Sequence, residues 1–118
     1  EENQSPGSEN IVVAKAVNYI EAHYRRKITL DELARNSCLC SSRFSQIFKE
    51  STGYSPIEYV NAFRIDRAKA LLAYSEMSIG EISDYLGFES VHYFNRAFKK
   101  RVETPPGQFA EKSRKIVR

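Results

Sequence analysis

The side chains best suited to recognition chemistry come in two matched sets, fifty residues apart. Phe44-x3-Phe48-Lys49, with Pro56 and Tyr59 downstream, is echoed by Phe94-x3-Phe98-Lys99, with Pro106 and Phe109 downstream. In each copy the two Phe residues fall one helical turn apart, so they pin one face of a short helix and leave a polar face outward. With Phe44, Ile47 and Phe48 turned in, the first helix offers Ser42, Arg43, Ser45, Gln46 and Lys49. With Phe94, Ala97 and Phe98 turned in, the second offers His92, Tyr93, Asn95, Arg96 and Lys99. Amides, hydroxyls and cations in this pattern hydrogen-bond and pair with charge. An internal repeat of this length means duplicated supersecondary units, and two exposed helices imply a partner gripped twice.

Bond-making chemistry has no comparable support. Cys38 and Cys40 sit two apart in what reads as a turn, and the only histidines are His23 and His92. Neither a zinc site nor a useful disulfide fits that inventory. A Cys40 nucleophile with His92 as base is conceivable, but nothing in the sequence orients the pair. The two cysteines are expected to be reduced, small packing residues. The chain is expected to be no enzyme and to hold no metal or cofactor.

Charge sharpens the choice of partner through its distribution. The net charge of +3 is modest, but residues 1–40 carry five basic and six acidic side chains, residues 41–90 five and seven, and residues 91–118 eight and two. Positive charge therefore collects over and after the second repeat, which favours a polyanion such as DNA or RNA. A solvated helix face followed by a basic tail gives the same count, so charge alone leaves both readings open.

The elements that must position these faces are all helical. Three segments begin with a hydroxyl residue followed three positions later by Glu: Thr29 and Glu32, Ser55 and Glu58, Ser78 and Glu81. Each has the form of a capping box, in which hydroxyl and carboxylate satisfy N–H groups that the first helical turn leaves unpaired. Helices are predicted over 11–24, with Val13, Val17, Ile20 and Tyr24 as its stripe, then 30–36, with Leu30, Leu33 and Ala34 inward, and 41–51, ended by Gly53. Short helix, tight turn and second short helix outline a helix-turn-helix. Ser55-Pro56 opens a long helix lasting to about Tyr74, with Ile57, Tyr59, Val60, Phe63, Ala68, Leu71 and Leu72 as its apolar set. The second half repeats the first, with helices over 79–86 and 90–102 and a terminal one opened by Pro105-Pro106.

A chain of 118 residues is one domain, or two very small ones sharing an element. The expected division is a polar linker or boundary segment over 1–10, a first unit over 11–53, a linking helix over 55–74 and a second unit over 78–114. With 42% apolar and 28% charged residues, the composition is that of an ordinary globular fold. No apolar run is long enough to span a bilayer and the start has no secretory pattern, so no membrane partner is expected and a cytoplasmic location follows by default.

One pattern carries a family resemblance: Arg64, Ala68, Leu71-Leu72, Ile79-x2-Ile82-x4-Gly87-Phe88-x-Ser90-x2-Tyr93-Phe94-x-Arg96-x-Phe98-Lys99-Lys100 and Pro106. Over about Ile11 to Arg114 the chain closely resembles the DNA-binding domain of AraC/XylS-type transcription regulators. The resemblance implies an all-α fold with two helix-turn-helix subdomains joined by a long central helix, about seven helices in all. It implies sequence-specific binding of double-stranded DNA to regulate transcription in a bacterium, with recognition helices in successive major grooves, and attachment to a sensing or dimerisation domain outside this chain. The alternative is a helical protein-interaction module that docks the transcription machinery, with RNA polymerase as its candidate partner. The long helix should span roughly 25 to 30 Å at 1.5 Å per residue, close to one turn of B-DNA.

Departures from the family pattern are specific. Glu103 stands where the family usually has Gly, which implies a differently shaped end to the second recognition helix. Cys38 replaces a usual turn Gly, Cys40 a usual capping Ser, and Ser83 a usual Ala.

On this resemblance, the candidates for reading bases are Ser42, Arg43, Ser45 and Gln46 in the first helix and His92, Asn95 and Arg96 in the second. Gln46 and Asn95 suit adenine, Arg96 suits guanine, and serine discriminates poorly. Lys49, Tyr93, Lys99, Lys100 and Arg101 are the phosphate candidates, which position without reading sequence. Arg96 contacting only phosphate, or pairing with a neighbouring carboxylate such as Glu89, is the competing expectation for that residue. Arg64 and Arg67 are expected to form structural ion pairs with nearby acids.

Overall fold

Seven helices account for the ordered elements of the structure, a computed structural model that describes residues 6–117. They are α1 (Pro6–His23), α2 (Leu30–Asn36), α3 (Ser41–Thr52), α4 (Pro56–Tyr74), α5 (Ile79–Tyr85), α6 (Val91–Val102) and α7 (Pro106–Val117). Among the described residues there is no strand. The sequence places α2 to α6, and the start of α7, within a residue or so of these bounds. The first helix differs: it begins at Pro6 rather than near Ile11, because Pro is well suited to a first turn and the polar residues after it oppose helix only weakly. The rest of the expected polar segment, residues 1–5, lies outside the described residues.

The chain divides into two compact units. The first comprises the described residues up to His23 together with Ile28–Val60, and the second comprises Tyr24–Lys27 and the described residues from Asn61 onward. In the first unit α3 packs on α1 and α2, burying Phe44, Ile47 and Phe48 with Ile20 and Leu33. In the second, α6 packs on α5 and α7, and Phe94 and Phe98 join Ile65, Ala68, Leu72, Ile82 and Leu86 in one core. Full burial of each Phe stabilises by roughly 1.5–3 kcal/mol.

The sequence repeat becomes the same aromatic ladder twice. Phe44 and Phe48 meet as tilted rings with centroids 5.8 Å apart and Phe48 meets Tyr59 edge-on at 5.4 Å. Phe94 and Phe98 repeat the 5.8 Å spacing, and Phe98 meets Phe109 edge-on at 5.4 Å. The aromatics thus fix which face of α3 and of α6 turns outward.

All three capping boxes form, at Thr29 with Glu32, Ser55 with Glu58 and Ser78 with Glu81. Glu32 does double duty, since its other carboxylate oxygen accepts from the Tyr19 hydroxyl of α1. Ile57 departs from its expected place in the apolar set: it is exposed.

The two turns differ in length. Thr29 and Ser78, which cap α2 and α5, are 49 residues apart, whereas Cys40 and Ser90, which cap α3 and α6, are 50 apart. The second turn therefore holds one more residue and buries Phe88 within it. In both turns the residue after the helix cap is left-handed, Cys38 at φ 61° and Gly87 at φ 88°. Only Gly fits the second, because a Cβ there would lie 2.7 Å from the Arg25 carbonyl carbon.

Candidate nucleic-acid interface

Positions 42 to 51 and 92 to 101 correspond one to one, so the outward faces of α3 and α6 can be compared side chain by side chain. Ser42, Gln46 and Lys49 are exposed on α3, with Arg43 and Ser45 half-buried. His92, Asn95, Arg96, Lys99, Lys100 and Arg101 are exposed on α6, with Tyr93 half-buried. The structure thus gathers the α3 candidates onto one helix face and the α6 candidates other than Arg101 onto another, and each face is held by its own pair of buried phenylalanines. Arg101, seven residues after Phe94, falls on the Phe side instead.

On α3 the polar groups are tied to one another. Glu9 of α1 accepts from Arg43 Nη2 at 3.4 Å, Arg43 Nη1 donates to Gln46 Oε1 at 3.3 Å, and Gln46 Nε2 donates to Glu50 Oε2 at 3.4 Å. Neither acid stands among the candidates drawn from sequence. The i, i+3 and i, i+4 spacings of 43, 46 and 50 carry enough signal to find Glu50. Glu9 has none, because it falls in the segment read as a linker.

On α6 the same positions are filled differently. Tyr93, at the place of Arg43, accepts from Asn61 Nδ2 of α4 at 2.9 Å through its hydroxyl. Arg96, at the place of Gln46, lies 5.9 Å from the Tyr93 ring centroid and makes no ion pair with Glu89. Lys100 stands where α3 has Glu50. Arg101 is drawn back to Asp66, with Nε 3.5 Å from its carboxylate, which Lys69 also approaches at 3.8 Å. Among the described residues, Lys99 and Lys100 form no ion pair.

The helix ends show which family departures matter. Ser90 accepts from the Tyr93 N–H at 3.1 Å, capping α6, whereas Cys40 makes no side-chain cap bond to α3. Cys38 and Cys40 are both exposed rather than packed. Glu103 does not reshape its helix end: it adopts φ 67° and donates to the Lys99 carbonyl at 2.7 Å, as Gly53 at φ 84° donates to that of Lys49 at 2.8 Å. Ser83 is buried and its hydroxyl donates to the Ser90 carbonyl.

Arg64 and Arg67 are structural, but their partners are not acids. Arg64 is 7% exposed and donates to the carbonyls of Tyr24 and Arg26, each at 2.8 Å. Its guanidinium also faces the Phe88 ring. Burial pushes its pKa below the usual arginine value, partly offset by the Tyr93 hydroxyl, and an arginine so placed stays charged. Arg67 lies over the Phe63 ring at 4.7 Å. Carbonyl oxygens and aromatic faces satisfy a guanidinium without the cost of burying a carboxylate beside it.

Two helix-turn-helix units, each presenting a polar second helix on an aromatic base, define a class of nucleic-acid reader. The helix-turn-helix domain family matches residues 33–112, and the chain belongs to it as a helix-turn-helix domain of the AraC/XylS type. It is 34% identical to the uncharacterized HTH-type transcriptional regulator YbfP of Bacillus subtilis over 82% of this chain and 33% of that protein. It is 36% identical to the HTH-type transcriptional activator Btr of the same organism, over 89% of this chain and 20% of that protein. The chain thus spans a third or less of these two relatives.

Among solved structures, the C-terminal domain of the two-component response regulator yesN from Fusobacterium nucleatum is 34% identical, with a TM-score of 0.77 over 82% of this chain and 95% of that one. The DNA-binding domain of AdpA, solved with a target DNA, shares the fold at 22% identity and a TM-score of 0.83, over 88% of this chain and 94% of that one. The family is one of transcription regulators rather than of enzymes. No helix among the described residues is long and apolar enough to cross a membrane.

Proposed function

We propose that this chain is the DNA-reading part of a larger bacterial transcription activator that acts in the cytoplasm and has no catalytic activity of its own. Its two recognition helices, α3 and α6, enter successive major grooves. Arg96 reads guanine and Asn95 adenine from α6, while Gln46 reads adenine from α3, with Ser42, Arg43, Ser45 and His92 at the edges of the two contacts. Lys49, Lys99 and Lys100 hold phosphates, and Tyr93 and Arg101 support that grip from positions already engaged with Asn61 and Asp66. A sensing or dimerisation domain lies elsewhere in the protein, and RNA polymerase is a second partner.

The observation that carries this reading is the outward face of α6. It has three cations, Arg96, Lys99 and Lys100, on a helix that contains no acid, and the buried Phe residues turn that face outward. The test is selection of preferred sites from a random pool of duplex DNA at near-physiological salt, where non-specific binding is suppressed. Two short boxes centred one helical turn apart are expected. A folded protein that enriches no site contradicts the reading and favours the protein-interaction module.

A further inference from the structure

The chain Glu9, Arg43, Gln46, Glu50 lies across the reading face of α3, and its chemistry is directional. Arginine has only donors and an ionised carboxylate only acceptors. Arg43 can therefore meet Gln46 only through Oε1, and Glu50 can meet it only through Nε2. The observed contacts, at 3.3 Å and 3.4 Å, have that polarity. A flipped amide would set NH2 against a guanidinium at one end and oxygen against a carboxylate at the other. Glu9 secures the far side of Arg43, 3.4 Å from its Nη2.

We infer that Glu9, Arg43 and Glu50 are positioning residues that hold the Gln46 amide in a single orientation, making the first recognition helix a directional reader of one adenine. The inference rests on the reading of Gln46 as a base contact. A primary amide has two acceptor and two donor positions, and the two contacts within the protein use one of each. The acceptor and donor that remain match N6–H and N7 of adenine. With the amide fixed, its oxygen faces the N-terminal turn of α3 and its NH2 the C-terminal turn, so adenine on one strand is distinguished from adenine on the other.

The second copy supports this assignment. There too the third residue of the reading helix reaches back to the preceding long helix, Tyr93 to Asn61 where Arg43 goes to Glu9, and the residue one turn on, Arg96, leans on it. Arg96 has donors in every direction and needs no flip control. Position 100 is accordingly free to be Lys, where position 50 is Glu.

The experiment is parallel site selection from random duplex DNA with the unaltered chain, Gln46→Ala, Glu50→Gln and Glu9→Gln. Each fold is checked by circular dichroism. At the position lost in Gln46→Ala, a preference for adenine of roughly tenfold should fall to about twofold in Glu50→Gln, with a smaller fall in Glu9→Gln. Affinity for unrelated duplex should rise in both, because each removes a negative charge from the DNA-facing side. Undiminished adenine preference in both acid variants, with Gln46→Ala still losing it, overturns the positioning role and leaves the reading of Gln46 intact. No change at any position in Gln46→Ala overturns that reading and this inference with it.

Discussion

The two recognition helices share a scaffold and differ in what they offer. Both stand on a Phe pair with 5.8 Å centroid spacing, and both end in a left-handed cap that donates to the carbonyl of an equivalent lysine. On α3, however, Arg43 and Gln46 are engaged between two carboxylates, so the face is close to neutral. On α6 the equivalent acid is a lysine, and Lys99 and Lys100 are free of carboxylates among the described residues. Duplication of a fold therefore did not duplicate its electrostatics. On the function proposed, the second unit supplies grip and α3 supplies a low-charge contact that depends on amide geometry.

The turns diverge as well, and the largest effect is expected there. Gly87→Ala forces a Cβ against the Arg25 backbone at positive φ, combining backbone strain with overpacking for a loss of about 2–5 kcal/mol in chemical denaturation. Cys38→Gly, at the matching place, should stabilise by up to about 1 kcal/mol, since it relieves the left-handed strain alone. Equal and small effects at both positions would show that the turns are not distinguished by the close approach to Arg25.

Next in size is Arg96→Ala, expected to cost roughly 1–3 kcal/mol of DNA affinity and to relax one base position. If affinity falls uniformly over all sequences, Arg96 holds phosphate only. Cys40→Ser should add about 1 kcal/mol of stability by supplying the cap that Ser90 already gives α6, and Ser90→Ala should cost a similar amount. Both are read by thermal denaturation. The smallest effect is expected from Glu103→Gly, about 0.5–1 kcal/mol of added stability from relieved φ strain and a better match to the helix dipole.

What the sequence made legible follows from how local each signal is. Capping boxes, Phe spacing and Pro in first turns act within a few residues, so α2 to α7 and the outward faces of α3 and α6 could be read directly. The start of α1 was not legible, because Pro6-Gly7-Ser8 reads equally as linker and as first turn. The partners of Arg64 were hidden for a different reason. Carbonyl oxygens carry no residue identity, so the Tyr24 and Arg26 carbonyls leave no mark that could compete with nearby acids. Glu9 was illegible because its contact with Arg43 spans thirty-four residues, and long-range polar pairs have no periodic signature.

The most direct test of the contrast between the two helices is the salt dependence of affinity for a selected duplex, measured for the unaltered chain, Lys49→Ala and Lys99→Ala/Lys100→Ala. Each phosphate contact contributes about 0.9 to the slope of log affinity against log salt. The double variant of α6 should flatten the slope by roughly 1.8, and Lys49→Ala, beside Glu50, by less than about 0.9. A slope unchanged in the α6 variant, or flattened at least as much by Lys49→Ala, would contradict the assignment of the grip to the second unit.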